Sequence, residues 1–538
     1  MGQKLYYNGT ILTVDENMPL AGYVLTEDER IAEVGSDSQA ALRQYSKAER
    51  VDLQGRLMVP GFIDSHLHVL TAALNHLKLD ITDMLFESVD SLLTYIRSQK
   101  AGAEDEWISV SGFCEENIAS GQMVTRWDID RYFPEVPVTI IRVCGHKSII
   151  NSKAVERLDK DRMATITGGQ FLKDENGEYN GIATEGAQQY VLDTMPNVPE
   201  QIAIECMVNE QEKLMAYGIT SVHDAGTDMM LPRDYISVYQ RMDDLGKMKI
   251  RTSLMVRPGD KEPFEEFDAY LKDLKAKDAK RTGRLHIGAI KLFADGSLGG
   301  RTAAVMEPYE GEPENYGLLL DERNERYITQ AVRAGHQVAV HAIGDRAVRY
   351  VAEHYAAAEN CKGSRQRIEH AEMMCDELIA YIKKNQLLIM TQPIFIREFG
   401  NTYFNNLGTE RAMWIQPLRT LLAQGIPVGF GTDYPVDDAN PLLGIQTAMT
   451  RAIKGTDGRT LNRKETITFA QALRCYTLNN AYGDFRENEV GSIQAGKLAD
   501  FAIISGADCA PDGVVESVAN AVVDMTVIGG ETVFTRKQ

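Results

Sequence analysis

Paired cysteines are missing from this chain. Its seven cysteines stand singly at Cys114, Cys144, Cys206, Cys361, Cys375, Cys475 and Cys509, with no CxxC among them. That excludes a CxxC redox or metal clip and leaves them as small buried hydrophobes of a reducing compartment. Positive charge is short as well: 57 Lys and Arg against 77 Asp and Glu give a formal charge of −20. A surface of that sign repels nucleic acid and anionic membranes, so neither is an expected partner. Long apolar runs are also lacking. The opening stretch MGQKLYYNGTILTVDE turns polar after a few residues and offers neither a signal-peptide core nor a membrane span, which makes a cytoplasmic protein the expectation. No fixed-period repeat or low-complexity tract appears, so a solenoid is excluded. What remains is ordinary for a packed globular protein, with 44% hydrophobic and 25% charged residues. A chain of 538 residues exceeds one simple core and points to a large catalytic domain with a smaller companion, or a barrel with insertions.

The two ends differ from the middle. Residues 4 to 57 read as short alternating strands, KLYYNGTILTV, AGYVLTEDERIAEVG and VDLQGRLMV, with a helix only near 37 to 47; residues 490 to 538 read the same way. One small sheet domain assembled from both termini is therefore expected, over 1–57 and 490–538. The Asn8-Gly9 pair between LYY and ILTV predicts a hairpin turn. Between the ends, apolar strand-like runs alternate with helical patterns, the rhythm of βα units, and 58–489 is expected to form an α/β barrel. Ten candidate strands compete for the eight places of such a barrel. WISVSGF and VTIIRVCGH are assigned to an insertion at about 100–205, because a plain connection needs far fewer residues.

In FIDSHLH, alternate residues of a strand share a face, so His66 and His68 can converge as a chelate; an isolated HxH is more often a pair of surface or hydrogen-bonded histidines, and the rest of the chain must decide. Other ligand types recur at the C-terminal ends of apolar runs: Lys291 in GAIKLFADGS, His341 in QVAVHAIGD, His370 in RIEHAE and Asp433 in VGFGTDYP. In a βα barrel those ends meet on one face, where active sites are built. Neutral imidazoles with a carboxylate suit zinc or a similar first-row ion.

The runs VPGFIDSHLH, GAIKLFADGSLGGRTAA, VHAIGDRAV, RIEHAE, GTDYPV and GSIQAGKLADFAII, in this order, resemble the amidohydrolase superfamily. Within it the chain is most similar to the YtcJ-like and N-substituted formamide deformylase-like branch, also called the amidohydrolase 3 family, from about residue 4 to 533. The resemblance implies a distorted (β/α)8 barrel with a β-sandwich built from both termini, and one or two divalent metal ions. It implies His66, His68, His341 and His370 as metal ligands, and Asp433 as a ligand that also takes the proton of the attacking water. Lys291 falls where binuclear members carry a carboxylated lysine; the alternative is a substrate-binding cation beside a single metal. His146 and Glu185 match the branch pattern as substrate-facing residues, although a helix-start histidine with a structural role is an equal reading of His146. Asp295 and Arg301 flank a Gly-rich loop of the same kind, although Arg301 fits a loop-bracing salt bridge as well. His223 ends a strand but reads as structural. The chain departs from the branch after TQP, where Ile394 and Phe395 stand in place of a histidine, giving a more apolar pocket wall.

The implied function is hydrolysis of an amide, N-acyl or N-formyl bond of a small molecule by metal-activated water. A deaminase on a single metal and a non-enzymatic scaffold are the alternatives, the latter opposed by six intact ligand positions. A symmetric homodimer is the oligomeric expectation.

Overall fold

Strands from opposite ends of the sequence pair with one another. The computed structural model describes residues 2–537 apart from 83, 100–106, 120, 143–146, 167–168, 227–234, 260–261, 282, 321, 359–360 and 511–512, and apart from the side chains of Glu185 and 322–325. The chain divides into two compact units, one of Met1–Val69, Val208–Thr227 and Arg233–Gln538, the other of Leu70–Met207 and Asp228–Pro232.

The first unit holds the barrel. Its strands are β1 (Phe62–Leu67), β2 (Ile219–Asp224), β3 (Arg251–Val256), β4 (Leu285–Phe293), β5 (Val338–Ala342), β6 (Arg367–His370), β7 (Leu388–Thr391) and β8 (Val428–Phe430). All neighbours in this order are parallel, and the strands are buried almost throughout, which explains why the sequence shows continuous apolar runs here and not an alternation. Helices follow in turn, among them Asp345–Ala356 after β5, Asp376–Asn385 after β6 and Ile394–Ala412 after β7. This is the expected TIM-like arrangement, with Ile108–Phe113 of WISVSGF and Val138–Arg142 of VTIIRVCGH in a different sheet.

The seam between β8 and β1 is closed without a regular ladder. The Asn480 side-chain amide donates to the carbonyls of Ile63 at 2.6 Å and Phe430 at 2.7 Å, standing in for strand-to-strand bonds. Beyond the strand ends, the amide of Asp433 donates to the carbonyl of His66 (2.7 Å) and that of His68 to the carbonyl of Tyr434 (2.8 Å). The close approach requires glycine: a Cβ at Gly431 would lie 2.7 Å from the His66 nitrogen, and one at Gly429 2.1 Å from Asn480 Oδ1. The seam thus stitches the first and last functional strand ends together.

Both termini build one sheet of eight strands: Gln3–Leu12, Leu20–Glu27, Arg30–Gly35, Glu49–Asp52 and Leu57–Pro60 with Phe501–Ser505, Val522–Ile528 and Glu531–Thr535. The ends join where Leu57–Pro60 runs antiparallel to Phe501–Ser505, and Tyr6, Val24, Ile31, Met58, Phe501 and Val527 share one apolar cluster. The expected hairpin at Asn8-Gly9 does not form. The strand runs straight through, with a register shift between Tyr7 and Ile11 and Asn8 at φ +60°. The reason is long-range pairing: Lys4 to Tyr7 pair with Glu49–Asp52 and Thr10 to Ile11 with Leu57–Pro60, so the Asn-Gly pair marks a bulge where the chain changes partner.

A buried ion pair ties this sheet to the barrel. Arg251 of β3 meets Asp500 through Nε at 2.8 Å and Nη2 at 3.1 Å, and Asp500 Oδ1 also accepts the Gly529 amide at 2.7 Å. Asp500→Ala strands a buried guanidinium, and the expected cost is about 3–5 kcal/mol. Arg251→Met with Asp500→Leu, which removes both charges, should cost clearly less. Urea midpoints of the two variants check this, and equal midpoints would count against the pair.

The second unit contains a sheet of six strands in the order Gly169–Lys173, Tyr179–Glu185, Lys147–Ile150, Val138–Arg142, Ile108–Phe113 and Leu79–Asp80. It begins before residue 100, because the helix Val89–Gln99 packs Val89, Leu92, Leu93 and Ile96 into the same cluster as Val110 and Ile140. Among the described residues no helix is long and apolar enough to cross a membrane.

Candidate metal centre

β1 delivers its two histidines differently. His66 is fully buried inside the barrel, whereas His68, just past the strand end, keeps a side chain 12% exposed. Asp433 reaches them from across the seam with φ +58°, a left-handed conformation that Asp tolerates better than most residues. Its Oδ1 lies 3.5 Å from His66 Nε2 and 3.3 Å from His68 Nε2. The strand end beneath is braced by Asp64, whose Oδ1 accepts the amides of His66 (3.0 Å) and Thr432 (3.2 Å) and whose Oδ2 accepts Thr432 Oγ1 (2.6 Å). Burial pushes the Asp64 carboxyl up to about 7.

Three further strand ends close in on this group. Lys291 of β4 is 1% exposed and places Nζ 3.0 Å from His66 Nε2. The ring of His370 lies 4.6 Å from that of His66 and 4.4 Å from that of His341, centroid to centroid. His370 turns Nδ1 to the Gln392 side-chain carbonyl at 2.8 Å, which leaves Nε2 as its lone-pair nitrogen. His341 does the reverse: Nε2 donates to the Gly296 carbonyl at 3.0 Å, leaving Nδ1 bare. Burial holds His66 and His370 well below the ordinary imidazole value and His341 down at about 3, with the Lys291 ammonium adding to the effect at His66 and His341. All three are therefore neutral at pH 7, the state a metal ligand needs.

The donor chemistry fits a divalent cation. His66, His68 and Asp433 each offer one atom within 4.8 Å of the others. Asp433 Oδ1 is buried and makes no hydrogen bond, an orphaned acceptor that a cation among these nitrogens would satisfy.

The structure thus brings His66, His68, Lys291, His341, His370 and Asp433 together. Asp295 and Arg301 are occupied otherwise. The Asp295 carboxylate accepts three backbone amides, those of Ile343, Gly344 and Ala304, each at 2.9 Å, and so ties the loop after β4 to the turn after β5; Oδ1 also lies 3.5 Å from His341 Nε2. Arg301 donates to Asn406 Oδ1 (3.0 Å), the Glu310 carbonyl (3.2 Å) and Glu312 (2.5 Å), the loop-bracing arrangement. His146 and the side chain of Glu185 lie outside the described residues.

Several site residues escaped the sequence. Glu369 Oε2 is 2.5 Å from His66 Nδ1, and Arg367 grips the same carboxylate from Nε (2.7 Å) and Nη2 (3.1 Å), all three side chains being at most 1% exposed. Glu372 is buried, accepts the Tyr403 hydroxyl at 2.6 Å and is pushed up to about 8 by burial. Arg-x-Glu within a strand run buried throughout was the available signal for the first pair, since lone charges are not buried there without a partner. Phe395 stacks on His370 at 6.4 Å and 8°, while Phe293 packs 5.3 Å from His341, which gives the histidines aromatic flanks.

The amidohydrolase family model matches residues 49–534. YtcJ of Bacillus subtilis (strain 168) is 30% identical over 545 residues, covering 99% of this chain and 100% of that protein. An N-substituted formamide deformylase of Arthrobacter pascens is 26% identical over 530 residues, covering 95% of each. Among solved structures, an uncharacterized metal-dependent hydrolase from Pyrococcus furiosus has a TM-score of 0.74 at 27% identity, over 93% of this chain and 98% of that one.

Proposed function

As this chain belongs to the amidohydrolase family, we propose that it is an enzyme that hydrolyses a carbon–nitrogen bond of a small molecule, an amide or N-acyl or N-formyl group, with a divalent metal. The observation that carries the reading is Asp433 Oδ1, buried, free of hydrogen bonds and set 3.5 and 3.3 Å from two imidazole nitrogens. A metal at such a site lowers the pKa of a water toward about 7 and polarises a carbonyl, and zinc suits this mixture of nitrogen and oxygen donors. His66, His68, His341 and His370 would hold it. Asp433 takes the proton of the attacking water on its carboxylate and returns it to the departing nitrogen, so that the amine leaves neutral. Phe395 and Phe293 favour an apolar group beside the scissile bond.

Lys291 decides between one metal and two. As an ammonium it donates into the lone pair of His66 Nε2 at 3.0 Å and competes with a metal for that nitrogen. Combined with carbon dioxide, the amine loses a proton and becomes a carbamate, an anionic oxygen ligand that ends the competition. We favour the carbamate and a two-metal centre; an ammonium would favour a single ion and the deaminase alternative. A metal count on the native protein, a carbonyl resonance taken up from labelled carbon dioxide, and a screen of N-acyl amino acids, N-formyl amines and cyclic amides test the reading together. Chelation should abolish turnover and re-addition restore it. Full turnover in metal-stripped protein would overturn the proposal.

A further inference from the structure

A charged pair lies beside the candidate metal centre. Glu369 and Arg367 sit two residues apart on β6 and face the barrel interior, where Arg367 divides its donors among Glu369, the Ser65 carbonyl (Nη2, 2.8 Å) and His223 Nδ1 (Nη1, 3.2 Å). Beyond His223, Nε2 lies 3.8 Å from Asp484 Oδ2, and Asp484 Oδ1 accepts Ser253 Oγ at 2.6 Å. A guanidinium only donates and an ionised carboxylate only accepts. Two consequences follow for the two histidines that touch the pair. His66 faces an acceptor at Nδ1, so the proton belongs on Nδ1 and the lone pair on Nε2. His223 faces a donor at Nδ1, so its proton belongs on Nε2, toward Asp484.

We propose that Glu369 is a positioning residue that fixes His66 in its Nδ1–H form and so aims the Nε2 lone pair at the metal position, while Arg367, donating to Glu369 on one side and to His223 on the other, holds Glu369 in place and locks His223 in the opposite tautomer. The proposal rests on the metal-dependent reading for its purpose, and on the local donor and acceptor pattern for its content. In the metal-free protein Lys291 supplies a second indication, because an ammonium can only donate and its Nζ at 3.0 Å then requires Nε2 of His66 to be the accepting nitrogen. His66 is fully buried, so the groups that fix its tautomer are protein groups. A hydrogen bond from the remote nitrogen of a ligand imidazole both orients the ring and raises its basicity.

The test begins with the wild-type full chain, metal-free and labelled with nitrogen-15 histidine. His66 should show a protonated Nδ1 and a bare Nε2, and His223 the reverse. His66 found with Nε2 protonated overturns the proposal without any variant having to fold. Binding of Co²⁺ is then measured by chelator competition. Glu369→Gln keeps a carbonyl acceptor for Nδ1–H and should bind within about tenfold of wild type, whereas Arg367→Met with Glu369→Leu, which leaves no stranded charge, should bind about 10–100-fold more weakly, with an altered cobalt absorption spectrum. A folded double variant with wild-type affinity and spectrum overturns the proposal, and so does a Gln variant as weak as the double. Failure of the wild-type protein to bind Co²⁺ would sink the metal reading alone, since the tautomers are read without it.

Discussion

His66→Ala should yield a folded protein that has lost metal and turns over its amide at least about 10³-fold more slowly than wild type. The size follows from the position. His66 Nε2 is the nitrogen on which Asp433, at 3.5 Å, and Lys291, at 3.0 Å, converge, so its removal takes a ligand from the middle of the set and not from its rim. A metal supplies several kcal/mol of transition-state stabilisation, and about 1.4 kcal/mol is already a tenfold change in rate. The fold should survive, because the deleted ring is itself neutral and Glu369 keeps both of its bonds to Arg367, at 2.7 and 3.1 Å. The expected cost is that of a buried cavity plus two lost hydrogen bonds, to Glu369 and to Lys291, roughly 3–5 kcal/mol. Metal content by elemental analysis, turnover, and a urea midpoint measured on the same preparation separate the two effects. Near-normal turnover in the alanine variant would remove His66 from the chemistry.

Much of this centre could be read before the fold was seen, for a physical reason. A parallel barrel strand is buried on both faces, so a ligand-type residue at or near the end of a buried run stands out, and His66, His68, Lys291, His341, His370 and Asp433 all did. Gly429, in the three-residue strand β8, and Gly431, just past its end, were legible for a related reason: glycines two apart at a strand end imply a close backbone approach, and the seam against His66 and Asn480 is that approach. Residues that act on the ligands and not on the metal were harder to see. Glu369 was overshadowed by the histidine beside it, and strict alternation would have sent His370 to the opposite face; φ values of +70° at His370 and +43° at Ala371 break that alternation where β6 ends. The Asn-Gly signal at Asn8 failed because hairpin chemistry is local, while the partners that straighten this strand come from residues 49 to 60. Arg301 and Asp295 were visible as polar residues of a glycine-rich loop, but whether such groups face a substrate or brace the loop depends on Asn406, Glu312 and the turn after β5, which no local pattern contains.

Asp433→Asn should keep the metal and lose the reaction, by about 10² to 10⁴-fold in kcat, the range for a missing acid–base group. The substitution suits the question because little else changes. Asn adopts the left-handed conformation as readily as Asp, so φ +58° persists, and the bonds that place the residue are backbone ones: its amide to the His66 carbonyl at 2.7 Å and its carbonyl to the Val436 amide at 2.8 Å. The Asn side-chain carbonyl can occupy the place of Oδ1 beside His66 and His68 and remain a neutral ligand, with the histidines still present. What Asn cannot do is accept a proton from the attacking water and carry it to the leaving nitrogen. The loss should therefore fall on kcat with metal content close to wild type, and substrates with a better leaving amine, which need less protonation, should suffer less. The acid limb of kcat/KM against pH, where a base is lost to protonation, should flatten in the residual activity. A fully metallated Asn variant with near-normal turnover on poor and good leaving groups alike would leave Asp433 as a ligand and nothing more.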